Sequence, residues 1–479
     1  MNNASTSRRD FLKQSALAGV AASLTGLASG CASPGPDGNS NTSAHNDDYP
    51  PRPAGQKPVH DLTTKPRERI RVAHIGLHRG MTHVHNCLKL DYVDVVAVCD
   101  LIDDRAQAAA KACTDAGRPR PAIYSGTEHI WEMMVDRNDL DAVYIATPWA
   151  WHVPMALRTM EQGKHAFIEV AAAVTIEDCW RLVNTSERVQ KHCVMLENCC
   201  YGENELFVLN MAREGVFGDL VHAECAYLHD LRSMLFSLGT EGDWRRDYHW
   251  QYNGNLYPTH GLGPVAQYLG VGRGDQFKFL VSMSSPERSL TQYRNEHQPN
   301  GGRHKNEKYL CGDMNTSLIK TEQGRSIMVQ HDVVLPRPYS RINALCGTDA
   351  TFFDYPARLA IDKPKQYGLA AGGSEEWLDD ADLAKMRAQF THPLWRKLQE
   401  SAKGGGHGGM DFVMNWRLID CLRTGRTPDS VVYDAAAWSS IIELSVRSVA
   451  GGSVPVDIPD FTRGLWRDLK PLGIAGKNI

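Results

Sequence analysis

Apolar positions fall into two regimes that change over near residue 192. From Arg69 onward short apolar runs recur, each closed by a glycine or a polar group: Ile70–Gly76, Val93–Cys99, Leu140–Ala146 and His165–Glu169. Runs of this length with little alternation predict strands buried on both faces. Met81–Leu90 and Ile176–Gln190 read as helices, and Cys193–Leu196 as one more short apolar run. Strand–helix alternation of this kind predicts an α/β, Rossmann-type doubly wound parallel sheet over 67–191. Beyond 192 the pattern is mixed. A helix at Glu203–Arg213 precedes strand-like segments at Val221–Tyr227, Phe277–Met283, Thr316–Thr321, Ser326–Asp332 and Asn343–Gly347. Gly404–Asp411 opens a helix and Ala435–Val449 forms a last long one. This half, 192–479, predicts a C-terminal α+β domain with a large, mostly antiparallel sheet. No internal repeat is visible.

The first 31 residues read as an address. Ser7-Arg8-Arg9-Asp10-Phe11-Leu12-Lys13 is a twin-arginine signature, and the apolar run from about Ala16 to Leu27 has the length of a signal h-region. Ala28-Ser29-Gly30-Cys31 leaves two outcomes open, a lipid on Cys31 or simple cleavage nearby. Export by the twin-arginine route to the periplasm is the expectation, with membrane contact only through that lipid. Residues 32–66 are rich in Pro, Gly, Ser, Asn and Asp and are expected to form a disordered linker.

Charge and cysteine content narrow the class. A net charge of −4 gives no basic footprint for nucleic acid. Eleven cysteines besides Cys31 is an odd number without small-domain disulfide spacing. Several lie in apolar runs and read as buried thiols. Cys199-Cys200 has no C-x-x-C or histidine cluster to complete a zinc set, so no metal is expected.

The turn Gly76-Leu77-His78-Arg79-Gly80 follows the first strand, and Asp100 closes the second, 24 residues after Gly76. Together they outline a dinucleotide-binding unit. The turn offers backbone N–H groups to a pyrophosphate at a helix start, and the acid accepts from ribose hydroxyls while repelling a 2′-phosphate. NAD is therefore the expected cofactor. The G-x-G-x-x-G spacing is not intact, with His78 near the second glycine position. Thr147-Pro148-Trp149-Ala150-Trp151-His152 and Glu169-Val170 close later strands, where an open sheet places its ligand crevice. The expected cofactor set is Gly76, His78, Arg79, Gly80, Asp100, Thr147, Trp149, Trp151, His152, Glu169, Val170 and Asn198.

In Asn255–Pro264 (N-L-Y-P-T-H-G-L-G-P) Pro258 fits a first helical turn, which sets Tyr257 and His260 on one face. A phenol beside an imidazole holds sugar hydroxyls and moves a proton near neutral pH. Alone, the stretch reads first as a helix start with a satisfied Tyr and His.

The segments T-P-W-A-W-H, L-E-N-C-C-Y, G-D-L-V-H-A-E-C-A-Y-L-H-D-L-R, L-Y-P-T-H-G-L-G-P, R-P-Y and G-H-G-G-M-D occur in this order. From Arg69 to the C-terminus the chain resembles the glucose–fructose oxidoreductase/inositol dehydrogenase superfamily. Within it, the chain is similar to the NAD-dependent N-acetylhexosaminidases of glycoside hydrolase family 109. Ordinary dehydrogenases of the superfamily carry E-K-P where this chain has Glu169-Val170-Ala171, and D-x-G-x-H where it has Thr259-His260-Gly261-Leu262-Gly263.

The resemblance implies a glycosidase for terminal N-acetylhexosamine, most of all α-N-acetylgalactosamine. Tightly bound NAD takes a hydride from sugar carbon 3, the carbon 2 proton then leaves with the carbon 1 substituent, water adds, and the hydride returns. It implies a site of Glu197, Tyr227, Arg245, Tyr257, His260 and Tyr339. Here His260 is assigned the O3 proton and Tyr227 the carbon 2 proton, the latter on condition that neighbouring charge lowers its pKa. Glu197, Arg245 and Tyr257 are assigned to sugar hydroxyls, and Tyr339 to closing the pocket. The superfamily's habit of pairing through the open sheet face implies a homodimer. Taken singly, Tyr227 reads as a strand polar group, Glu197 as an ion-pair partner, Arg245-Arg246 as a surface pair and Tyr339 as loop packing. His407 reads either as a ligand contact or as part of a surface loop. Two other functions compete: an exported sugar oxidoreductase and a non-catalytic sugar-binding lipoprotein.

Overall fold

The computed structural model describes residues 49–297, 302, 304–370 and 373–475. The twin-arginine stretch, Cys31 and the first part of the expected linker lie outside the described residues. The described residues from Tyr49 on form one compact unit.

Six parallel strands build the first sheet: β1 (Ile70–Ile75), β2 (Val93–Asp100), β3 (Ala122–Ser125), β4 (Ala142–Ile145), β5 (His165–Ile168) and β6 (Cys193–Met195). Their order is β3-β2-β1-β4-β5-β6, so the chain reverses direction across the sheet between β1 and β4. That switch point leaves a crevice beyond the strand ends. β4 and β5 are buried along their whole length, as their unbroken apolar runs require. The expected boundary at 191/192 falls before β6, whereas β6 pairs with β5 and belongs to this sheet. A three-residue strand is too short for periodicity to assign it to either half.

The second sheet has eight strands: β7 (Leu220–Leu228), β8 (Phe277–Ser284), β9 (Asn315–Thr321), β10 (Ser326–Asp332), β11 (Ala344–Gly347), β12 (Ala350–Phe353), β13 (Arg358–Ile361) and β14 (Val456–Asp457). Its order is β13-β12-β11-β7-β10-β9-β8-β14, antiparallel except for the β7–β10 pair. In β9, Ser317, Ile319 and Thr321 are buried while Leu318 and Lys320 are exposed, the alternation of a sheet with one covered face. Helices Thr259–Leu269 and Val432–Ala450 pack against this sheet.

The part of the expected linker that is described, 49–66, is not a free tether. Thr64 N–H donates to the Gly425 carbonyl, Val59 is 1% exposed with its N–H on the Tyr433 hydroxyl, and Arg52 pairs with Glu187. Composition averaged over the segment hid one apolar anchor and the backbone donors that fasten it.

Two glycines make the β1 turn. Gly76 sits at φ +81°, and a Cβ there would lie 2.4 Å from the Ala146 carbonyl oxygen. A Cβ on Gly80 would lie 2.1 Å from the Gly76 oxygen. The irregular spacing of this turn thus still keeps glycine where backbones meet.

Candidate active site

A cavity of about 490 Å³ opens at the strand ends of the first sheet. One wall comes from the strand C-termini: His78 and Arg79 after β1, Thr147 after β4, Glu169 and Val170 after β5, and Asn198 after β6. The facing wall comes from the second half: Tyr227 in β7, Glu241, Trp244 and Arg245 on the helix Glu241–Gln251, and Tyr257 and His260. His407, its side chain 59% exposed, completes the lining.

Pro258 (φ −74°) precedes the helix Thr259–Leu269, so Tyr257 and His260 meet as the spacing suggested. The Tyr257 hydroxyl lies 3.5 Å from His260 Nε2, and the Tyr227 ring stacks on Tyr257 at 4.5 Å. The helix can come this close because Gly261 faces β7: a Cβ there would be 2.5 Å from the Ala226 nitrogen. The Arg245 guanidinium stands 4.9 Å from the Tyr257 ring centroid and pairs with Glu241 at 2.7 Å. Arg245 is therefore a cavity residue, whereas its neighbour Arg246 is tied to Glu307 and the Leu235 carbonyl.

Glu197 departs from its expected place on a sugar hydroxyl. Its carboxylate is 2% exposed, does not line the cavity, and lies 2.7 Å from His260 Nδ1 while also accepting from Cys199 N–H. A carboxylate only accepts, so the imidazole proton sits on Nδ1 and Nε2 faces Tyr257 as an acceptor. Position in sequence could not distinguish a group touching substrate from one lying behind it.

The condition placed on Tyr227 is not met. Burial pushes its phenol up, and the Arg245 charge pulls it only part of the way back. Burial raises Tyr257 well above the ordinary phenol range against the same charge. Both phenols are hydrogen-bond donors at neutral pH, not bases. Tyr339 likewise does not close the cavity. Its ring packs edge-on against Tyr227 and His229, and its hydroxyl accepts from Arg341.

Five of the expected cofactor residues, Gly76, Gly80, Asp100, Trp149 and Trp151, lie outside the cavity lining. Trp151 packs against Trp131 and His129 because helix Trp149–Glu161 turns it away from the crevice. Trp149 instead joins the two halves, its Nε1 on the Val170 carbonyl and its ring against Trp244 and Tyr248. Asp100 stands at the end of β2, where it accepts from the N–H groups of Leu77 and Ile102 and so shapes the turn. His152 lines the cavity and fixes the neighbouring loops, with its two ring nitrogens each 2.7 Å from a carbonyl oxygen, those of Ala171 and Thr147.

One buried residue near the cavity was given no role by the sequence. The Asp411 carboxylate takes a two-pronged ion pair from Arg79, with Asn198 and His407 also bonded to it. Arg79 pairs in addition with Glu169, which His83 holds at 2.8 Å. Burial works against ionisation of Glu169, but Arg79 and His83 outweigh it and pull its pKa down to about 2. The motif G-H-G-G-M-D contains Asp411. Its signal is the glycine run, which lets the chain double back and bring an acid under the turn.

Among the described residues, Glu197, Cys199 and His260 bring one ligand-type atom each within 4.8 Å of one another. Burial raises the Cys199 thiol well above its ordinary value, and His260 Nδ1 is taken by Glu197. The trio is a hydrogen-bonded group.

A profile described as "Glycosyl hydrolase 109, C-terminal domain" matches residues 201–468, and one described as "Oxidoreductase family, NAD-binding Rossmann fold" matches 70–197. A glycosyl hydrolase family 109 protein of Shewanella putrefaciens strain CN-32 is 46% identical over 441 residues, 91% of this chain and 95% of that protein. A second, from Shewanella sp. strain ANA-3, is 45% identical over 472 residues, 98% of this chain and 99% of that protein. A levoglucosan dehydrogenase solved with NADH and L-sorbose superposes with TM-score 0.58 at 18% identity, covering 82% of this chain and 100% of that one. An NAD-binding oxidoreductase from Klebsiella pneumoniae gives 0.57 at 13% identity, covering 82% and 99%. At these identities the solved structures share the fold alone. NAD is the cofactor of this dinucleotide domain, and the residues fit it. Backbone at Gly76 and Gly80 leaves no room for a Cβ, Asp100 ends β2, and Arg79, Glu169 and Asn198 line the crevice.

Two outcomes are expected. In Glu197→Gln the amide N–H₂ faces His260 Nδ1, which moves the ring proton to Nε2. Turnover should fall roughly 10- to 1,000-fold with the melting temperature little changed; wild-type turnover would refute this role. The second concerns pH. His249 and His331 lie behind Arg245, and burial, helped by that charge, lowers their pKa values to about 4 and about 3. Their folded values lie below the unfolded one, about 6.5. The stability they contribute is thus present above pH 6.5 and lost as pH falls toward those values. Thermal melts from pH 8 to 4 should show that loss, with a shallower slope in His331→Asn. An unchanged slope would contradict it.

Proposed function

Because the chain belongs to glycosyl hydrolase family 109 and carries an NAD-binding Rossmann domain, we propose that it removes terminal N-acetylhexosamine, with α-N-acetylgalactosamine as the leading substrate. Bound NAD supplies the hydride acceptor and donor for sugar carbon 3, and its regeneration in each cycle suits a cofactor that stays in place. The chain's own residues provide the proton chemistry.

The observation that carries this reading is the Glu197–His260 pair beneath two protonated phenols. Oxidation at carbon 3 acidifies the hydrogen on carbon 2, which side-chain bases otherwise leave alone. His260 Nε2 accepts the O3 proton and releases it to solvent, then takes the carbon 2 proton and returns one to carbon 2 when water has added at carbon 1. This reassigns the carbon 2 proton from Tyr227. Tyr227 and Tyr257 donate to the oxygen on carbon 3, where negative charge gathers as the carbon 2 proton is taken, before the carbon 1 substituent carries it away. Arg245 holds sugar hydroxyls and keeps its charge against burial because Glu241 lies beside it. Tyr339 supports Tyr227 from behind. Among the described cavity residues none is a lysine, which favours the glycosidase over the sugar oxidoreductase. We further propose export by the twin-arginine route to the periplasm, since that route carries folded protein with its cofactor in place.

Protein given p-nitrophenyl N-acetyl-α-D-galactosaminide in deuterated water should release nitrophenol, with deuterium at carbon 2 of the freed sugar and no net NADH. Accumulating NADH with a keto-sugar product would replace this reading with the oxidoreductase.

A further inference from the structure

Arg79 and Asn198 lie on the cofactor side of the cavity, and both are held from behind by one carboxylate of the other half. Asp411 is fully buried, and Arg79 grips it through two N–H groups at 3.0 Å each. Asn198 Nδ2 donates to it at 2.6 Å, and His407 Nδ1 stands 2.8 Å away. Charge-assisted contacts of this number satisfy a buried carboxylate. Arg79 also reaches Glu169, and Asn415, one helical turn after Asp411, is 3.0 Å from the far nitrogen of His83. The carboxylate therefore gathers the turn after β1 and Asn198, three residues past β6, and through Arg79 the end of β5.

The backbone around Asp411 is shaped for this. Gly406 has φ +92°, and a Cβ there would fall 2.4 Å from Asp411 Oδ2. The Gly405 carbonyl accepts from Asn86 on the helix Met81–Leu88 that follows the dinucleotide turn. Segment 404–411 is thus stapled to the first helix of the NAD-binding domain at Gly405 and to its turn at Asp411. Burial disfavours ionisation of Asp411, yet the His407 hydrogen bond and the Arg79 charge hold its carboxyl well below the usual carboxylate range.

We propose that Asp411, with His407, is a cofactor-retention clasp: it holds segment 404–411 against the Gly76–Gly80 turn, so that NAD stays bound from one turnover to the next. The inference rests on the reading that NAD is regenerated in place, but its test does not depend on glycosidase activity. Asp411 acts through Arg79 and Asn198 and is a positioning residue. In Asp411→Asn, Arg79 loses one of its two charged partners, keeping Glu169, and the segment loses its main tie to the turn. His407→Ala removes an exposed ring and leaves the buried ion pair.

The test is the rate at which NAD leaves the purified full-length protein after dilution into an NAD scavenger, with melting temperature recorded in parallel. Wild type is expected to retain NAD. Asp411→Asn should lose it at least about tenfold faster, and His407→Ala at an intermediate rate. A structural role alone would lower the melting temperature and leave the NAD release rate unchanged in both variants, overturning the proposal. Rapid loss from wild type would overturn it as well. If Asp411→Asn fails to fold, the His407→Ala rate decides. Failure of the glycosidase reading would show separately, as absence of nitrophenol release from NAD-loaded protein.

Discussion

A cluster of opposite charges, half-buried Arg79 between buried Glu169 and Asp411, joins the two halves where the cavity lies. Charges so far from water persist only when each is matched, because one left unpaired costs several kcal/mol (about 3–5). The matching fixes positions. Arg79 cannot swing freely from the turn after β1, Glu169 cannot leave the end of β5, and the chain after Gly404 cannot lift from the first domain. The cavity walls are thus set by the same ion pairs that hold the halves together.

On the facing wall the constraint is a hydrogen bond rather than an ion-pair cluster. Glu197 under His260 selects which ring nitrogen meets the cavity. The aromatic stack of Tyr227 and Tyr257 meets the imidazole edge-on, and its burial keeps both phenols protonated. One acceptor between two donors is a workable arrangement for a reaction that makes and discharges an oxyanion on a sugar ring. Arg245 supplies fixed positive charge nearby, over neutral imidazoles that do not compete with it.

Much of this was legible in the chain. Strand runs such as Val93–Cys99 and Ser326–Asp332 carry their own burial, so the two-sheet architecture follows from periodicity and length. Tyr257 and His260 declare their shared face through the Pro258 spacing. What the sequence withheld depends on distance across the fold. Glu197 and His260 are 63 positions apart, and nothing local states that the acid lies behind the ring. Asp411 is 332 positions from Arg79, and its glycine-rich surroundings look like a loose loop until the close approach of Gly406 is seen. Trp151 points away because helical phase, not membership of a motif, decides which side a ring faces. The strap at 49–66 was misjudged because polar composition says little about backbone hydrogen bonds.

In the proposed cycle a hydride leaves carbon 3 of the sugar and comes back to it within one turnover on retained NAD. A substrate bearing deuterium at carbon 3, mixed with NAD-loaded protein in a single-turnover experiment, tests it most directly. The account predicts a transient NADH absorbance that forms more slowly with the deuterated sugar, and a released sugar that keeps its deuterium at carbon 3. Release at full rate with no NADH transient and no isotope effect would contradict it.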